Sequence, residues 1–210
     1  MTIDKGCPSR LSGDSGITEK GGKNMTWQEL KDMCNGCNRC RLCEGRTNVV
    51  FGRGNETADI LFVGEGPGRQ EDEQGIPFVG QAGQLLELAL VSCGYKPEDY
   101  YIANVIKCRP PENRTPFEEE CNACMPYLRK QFSFIKPKIV VCLGGVAASN
   151  LIEKNARITG LRGRWIEKGG TLFFATYHPA ALLRDESKKI VMWQDLKKVK
   201  DKLDELRSAE

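Results

Sequence analysis

The sequence predicts an α/β fold, a three-layer α/β/α sandwich around a central, mainly parallel four-stranded sheet. Two observations carry this expectation. Short β-branched or aromatic runs recur along the chain with helical patterns between most of them, and such alternation builds parallel strands with helices on both faces. The chemically unusual residues fall just behind those runs, at carboxyl ends of strands, which is where open α/β sheets bind ligands.

The elements follow in order. Residues 1–24 are rich in Gly, Ser, Lys and Asp with few apolar positions; they read as a disordered tail, with Met25 as an alternative start and residues 25–210 as a single domain. Thr26 and Glu29 make a capping box that opens a helix to about Met33 and leads into Cys34, Cys37, Cys40 and Cys43. Residues 59–63 form the first strand, and Gly64-Glu65-Gly66-Pro67-Gly68 follows it. A helix over 81–93 leads to a second strand over 100–105, which contains Asn104. Thr115, Pro116 and Glu118 give an N-terminal signature for a helix running to Gln131. The third strand, 138–143, is followed by Gly144-Gly145 and a helix over 146–153. The last strand, 171–176, delivers His178-Pro179, and a final helix spans 190–206.

Composition narrows the function classes. With 210 residues, 40% hydrophobic and 28% charged, the chain can bury a core without disulfides, so wholesale disorder, collagen and coiled coil are excluded. The longest apolar run, 139–148, holds two glycines and falls short of the roughly 18 residues a membrane helix needs. No apolar leader is present, which predicts a cytoplasmic protein whose ten cysteines serve metal or redox chemistry rather than disulfides. A net charge of +3 permits a polyanionic partner without arguing for one.

The glycine segment 64–68 is continued by Glu71, Asp72, Gly75, Pro77-Phe78-Val79-Gly80 and Gly83. Arg69 stands where a dinucleotide fingerprint needs glycine, and no Lys-Ser/Thr completes a phosphate loop. The glycines instead allow close backbone approach to a ligand, with Phe78 on a loop beside them; a tight turn with Phe78 as core filler is the competing reading. Three cysteine arrangements compete. Cys34, Cys37, Cys40 and Cys43 resemble a ferredoxin loop with the wrong last spacing and no following proline. Cys37 and Cys40 with Cys121 and Cys124 imitate a zinc ribbon stretched too far. Cys37, Cys40, Cys108 and Cys124 suit zinc or an iron-sulfur cluster equally. Cys7, Cys93 and Cys142 read as a tail thiol, a helix end and a strand core.

Prolines deny regular structure to residues 104–116, so this stretch is a shaped loop. Asn104 offers the donor and acceptor pair that reads a nucleobase edge, or else simply finishes a strand; Lys107, Arg109 and Arg114 are placed to meet phosphates. His178 is the only histidine in the chain. Leu182 and Leu183 beside Arg184 form a candidate wedge for a DNA duplex, the alternative being that they begin the last helix.

Together these motifs resemble the family 4 uracil-DNA glycosylases, the iron-sulfur members of that superfamily, over residues 36–206. The resemblance rests on Cys-Asn-Arg-Cys-Arg-Leu at 37–42, Glu-Gly-Arg-Thr from 44, Gly-Glu-Gly-Pro-Gly at 64–68 and Pro-Phe-Val-Gly at 77–80. Asn-Val-Ile-Lys-Cys-Arg-Pro-Pro from 104, Cys124 before Pro126, and His-Pro-Ala from 178 complete it. It implies a structural [4Fe-4S] cluster on Cys37, Cys40, Cys108 and Cys124, with Cys34, Cys43 and Cys121 as bystanders. It implies that Phe78 stacks on uracil, Asn104 bonds its edge, Glu71 fills the space of a thymine methyl and His178 donates to O2. Glu65 and Gly66 match the water-activating motif, where this family lacks the aspartate of other branches. The Lys-Arg-Arg-Ile-His insert with which some relatives trap the abasic product is absent. The implied partner is uracil-containing DNA, single- or double-stranded, handled by a monomer without a membrane; a sliding-clamp partner is left open. An electron carrier and a noncatalytic DNA-binding protein are the rivals, and an incubation with uracil-containing strands followed by alkali separates them from the enzyme.

Overall fold

The computed structural model describes residues 25–209, so the tail expected over 1–24 lies outside the described residues. Three of the four predicted strands are buried along their whole length, as a sheet covered on both faces requires. In chain order the strands are β1 (Arg53–Gly54), β2 (Ile60–Gly64), β3 (Tyr100–Asn104), β4 (Ile139–Leu143), β5 (Trp165–Lys168) and β6 (Thr171–Thr176). The sheet order is β1-β3-β2-β4-β6-β5. The four expected strands are its parallel centre, and β1 and β5 extend it as antiparallel edges.

The helices are α1 (Trp27–Asn35), α2 (Arg69–Gln74), α3 (Gln81–Ser92), α4 (Glu118–Ile135), α5 (Gly145–Leu151), α6 (Ile158–Leu161), α7 (Pro179–Arg184) and α8 (Ser187–Ser208). The capping box forms as expected, with the Thr26 amide donating to Glu29 at 2.7 Å and the Glu29 amide donating back at 3.2 Å. Helix α4 starts three residues later than its signature suggested, because the ring of Pro116 keeps Thr115 out of helical geometry. Phe117 caps it instead, donating its N–H to the Glu120 carboxylate at 2.8 Å. The helix continues to Ile135, past the expected Gln131, and stops where Lys136 turns left-handed.

Strand alternation divides the core into two layers. Leu61, Val63, Ala103, Val140, Cys142 and Phe173 face α1, α4 and α5. Ile60, Phe62, Ile102, Val141, Leu143 and Phe174 face α3, α7 and α8. From β2 the chain moves outward to β3, then crosses back to β4 and β6 on the other side. Pairing of Gly64 with Asn104 and of Leu143 with Thr176 aligns the carboxyl ends on one edge. A cleft opens above that reversal of strand order. Among the described residues, no helix is long and apolar enough to cross a membrane.

Candidate active site

The cleft encloses about 430 Å³ and is walled by Glu65, Gly66, Glu71, Phe78, Asn104 and His178, together with Arg114 and Arg184. The glycine segment after β2, Asn104 at the end of β3 and His178 after β6 therefore meet in one place. Its floor depends on a missing side chain. A methyl group on Gly64 would lie 2.4 Å from the Asn104 Oδ1 and 2.6 Å from the Phe78 ring, so only glycine lets the amide and the aromatic close over the end of β2. Asn104 is 2% exposed, and its Oδ1 has no hydrogen-bond partner. A buried acceptor without a donor is costly, and such a group signals a ligand that completes it.

Phe78 sits at φ +57°, a strained conformation for an aromatic residue. Its neighbours hold it there. The Glu71 carboxylate accepts from the amides of Val79 (3.0 Å) and Gly80 (2.8 Å) with one oxygen and from Gly68 (3.1 Å) with the other. Glu71 thus ties the glycine segment to the Phe78 loop. Gly83 completes the fit, since a methyl there would fall 2.0 Å from the Phe78 carbonyl oxygen. The Phe78 ring lies 5.8 Å from the His178 ring at 32°, leaving two aromatic walls for a flat ligand.

His178 caps α7, its Nδ1 accepting from the Ala180 amide at 3.2 Å. That bond puts the ring proton on Nε2, which no group among the described residues engages. Burial, with the Arg184 charge adding to it, lowers the His178 pKa to about 4, so the ring is neutral. Burial likewise raises the Glu65 carboxyl above its ordinary range.

Some expected contacts are absent or redirected. Lys107 does not face phosphates; it is 1% exposed, and its ammonium donates to the Asn104 carbonyl and to Gln131. Burial pushes its pKa down to about 8 against the pull of nearby cysteines. Leu182 packs in the core beneath α7 and is unavailable as a wedge, because the helix turns it inward; Leu183 next to it is exposed. Arg114 spends two nitrogens on Glu120 (2.7 and 2.9 Å) and stacks 3.9 Å from the Phe117 ring, which shapes the proline loop and holds the Glu120 carboxyl below its usual range. Arg109 does not line the cleft itself but donates to Asn113, which does. Arg184 is exposed at the cleft rim.

A second, smaller pocket is bordered by Cys37, Cys40, Cys108 and Cys124, with Cys34 and Cys43 also at its wall and Cys121 outside it. Arg46 donates to the Cys108 sulfur (3.3 Å), and the Lys107 amide donates to the Cys124 sulfur (3.2 Å). Burial pushes the Cys124 thiol up. Among the described residues, no three His, Cys, Asp or Glu side chains converge as they would around one ion. Arg46 was not singled out in the sequence, although it belongs to the Glu-Gly-Arg-Thr motif. Asp72 was not given a role either; it is buried and accepts from the Thr47 amide, bracing that motif.

The model of the Uracil DNA glycosylase superfamily matches residues 51–197. Several named proteins are similar over most of their length. The type-4 uracil-DNA glycosylase of Thermotoga maritima is 46% identical over 168 residues, 78% of this chain and 88% of that protein. The type-4 enzyme of Archaeoglobus fulgidus is 45% identical over 173 residues, 78% and 86% of the two chains. The type-4 enzyme of Sulfurisphaera tokodaii is 41% identical over 183 residues, 83% of each.

Proposed function

The chain belongs to the type-4 branch of the uracil-DNA glycosylase superfamily, and from that premise we propose that residues 25–210 form one repair domain that flips uracil out of DNA and hydrolyses its N-glycosidic bond. The buried, unpartnered Oδ1 of Asn104 carries this reading. Uracil presents N3–H beside O4, and one carboxamide satisfies both, its oxygen accepting and its nitrogen donating. Cytosine, with a bare N3 and an amino group, inverts that pattern.

Unstacking the nucleotide costs a few kcal/mol, which stacking on Phe78 partly offsets. As the glycosidic bond breaks, negative charge grows on the pyrimidine, and a fixed Nε2–H of His178 directed at O2 stabilises it without reorganising. Glu71 is occupied by three amides, so Glu65 is the carboxylate left in the cleft to orient the attacking water beside Gly66. The product is an abasic site. Arg184 at the rim, with the exposed Leu183 before it in α7, is best placed to meet the DNA backbone and the gap left in the stack. Arg109 and Arg114 act through the loop they shape.

The cysteine pocket suits a [4Fe-4S] cluster on Cys37, Cys40, Cys108 and Cys124. All four line one pocket, and their thiolates would hold the cluster there. Two N–H···S contacts support thiolate ligands there. When bound, the cluster supplies cross-linking of three chain segments. Working on DNA with reduced cysteines fits a monomer in the cytoplasm at the nucleoid; nothing in the sequence specifies a clamp partner.

Incubation with a uracil-containing single strand, followed by alkali, tests the activity. Cleavage at uracil and release of free base are expected, and an intact strand overturns the proposal.

A further inference from the structure

Among the described residues Lys107 is the only lysine or arginine that folding removes almost wholly from solvent. A buried ammonium is costly unless it is bonded and its charge is balanced. Its bonds are to neutral acceptors, the Asn104 carbonyl at 2.9 Å and the Gln131 Oε1 at 2.7 Å. Among the described residues no carboxylate hydrogen-bonds to it, and its own backbone N–H donates to the Cys124 sulfur at 3.2 Å. Gln131 is anchored in turn, donating to the Phe51 carbonyl at 2.9 Å.

The carbonyl that Lys107 grips is that of the residue assigned above to read uracil. Asn104 ends β3, and its buried Oδ1 has no hydrogen-bond partner to aim it. Its direction is therefore set by its backbone, and the backbone beyond the sheet is held by Lys107. We infer that Lys107 is a positioning residue, pinning Asn104 from behind the cleft through its ammonium. The same residue touches both sites: its amide meets Cys124, its ammonium meets Asn104, and Cys108 follows it in the chain. An apparently remote cysteine centre is thereby joined to base recognition through one side chain.

This inference rests on the uracil-reading role of Asn104, and the experiment separates the two. In the iron-loaded protein, Lys107→Met removes the charge and both donors while keeping the length of the chain. Single-turnover excision is expected to fall at least 10-fold, and equilibrium binding of free uracil, followed by NMR, to weaken by a similar factor. Affinity for abasic DNA should stay within about twofold. In an Asn104→Ala background the same substitution should add little, because two residues that act as a unit are not additive. Unchanged uracil binding in Lys107→Met, or full additivity with Asn104→Ala, overturns the inference. If Lys107→Met does not fold, Gln131→Met carries the test; it takes one acceptor from the ammonium and should weaken uracil binding in the same direction, and no change there overturns the inference equally. A wild-type protein that releases no uracil overturns the proposed function instead.

Discussion

An imidazole that donates to a departing pyrimidine needs its proton on the correct nitrogen, and for His178 the backbone decides which one that is. The Ala180 amide occupies Nδ1, so Nε2 carries the hydrogen in the neutral ring. Removing one preorganised donor of this kind costs about 100- to 1,000-fold in rate, so single-turnover cleavage by His178→Ala should fall by that order while its affinity for uracil-DNA changes far less. A folded His178→Ala protein with near-normal turnover would return the ring to the role of a helix cap. The pH dependence has a definite sign. With its pKa lowered from 6.5 to about 4, His178 binds a proton more readily in the unfolded chain. Its effect is absent above pH 6.5; stability then declines as pH falls through 6.5 towards 4, by up to a few kcal/mol, and levels below that. Activity should show no loss centred near 6.5, and a sharp loss there would mean that the ring works as a cation. His178 and Asn104 were legible in the sequence because strand ends gather in one place, and Phe78 through the motif resemblance. The burial of Lys107 and Leu182 was not, since which side of a turn faces inward depends on packing against α4 and α8 rather than on local pattern.

At the scale of elements, the wall proposed to stack on uracil is a compound of α2, the Phe78 loop and the first turn of α3. Glu71 was expected to exclude the thymine methyl group. Its carboxylate also holds three backbone amides from two segments, and charged hydrogen bonds of this kind contribute roughly 1.5–3 kcal/mol each. Glu71→Ala should therefore release Phe78 from its left-handed conformation, lowering the melting temperature and uracil excision together, with no compensating gain on thymine opposite guanine. Thymine excision rising while uracil excision holds would assign Glu71 to steric exclusion of the methyl group alone. Gly83→Ala makes the matched test from the opposite side. A methyl set 2.0 Å from the Phe78 carbonyl cannot be accommodated without moving the loop, so excision should collapse although residue 83 itself bears no functional group. Helix α2 escaped sequence reading because six mostly polar residues carry no apolar period. The edge strands β1 and β5 escaped it too: a two-residue strand has no pattern, and β5 is only partly buried, so its alternation is weak.

For the whole molecule, the cysteine pocket joins parts that are distant in sequence. Cys37 and Cys40 follow α1, Cys108 lies on the loop that leaves β3 after Asn104, and Cys124 lies in α4. Spacing alone could not choose this set, because Cys34 and Cys43 share the short-range pattern and even border the same pocket. What distinguishes Cys108 and Cys124 is three-dimensional: each sulfur receives an N–H, and each carries its own segment to the pocket. A cluster bound there closes loops of about 70 to 90 residues, and binding that occurs only in the folded state adds directly to stability. Iron should therefore depend on Cys108 and Cys124. Cys108→Ala and Cys124→Ala, purified without air, should lose iron, the brown absorbance near ~400 nm and thermal stability together, whereas Cys121→Ala keeps all three. Because the Cys108 loop also presents Asn104, the first two variants should lose uracil excision even when a folded fraction is recovered. Full iron in Cys108→Ala and Cys124→Ala, with loss in Cys34→Ala and Cys43→Ala, would assign the metal to the local loop after α1 and cut the connection between the cysteines and the cleft. Zinc in the place of iron would leave that connection standing but replace a multi-corner cluster with a single ion, for which the sulfurs would have to draw together around one centre.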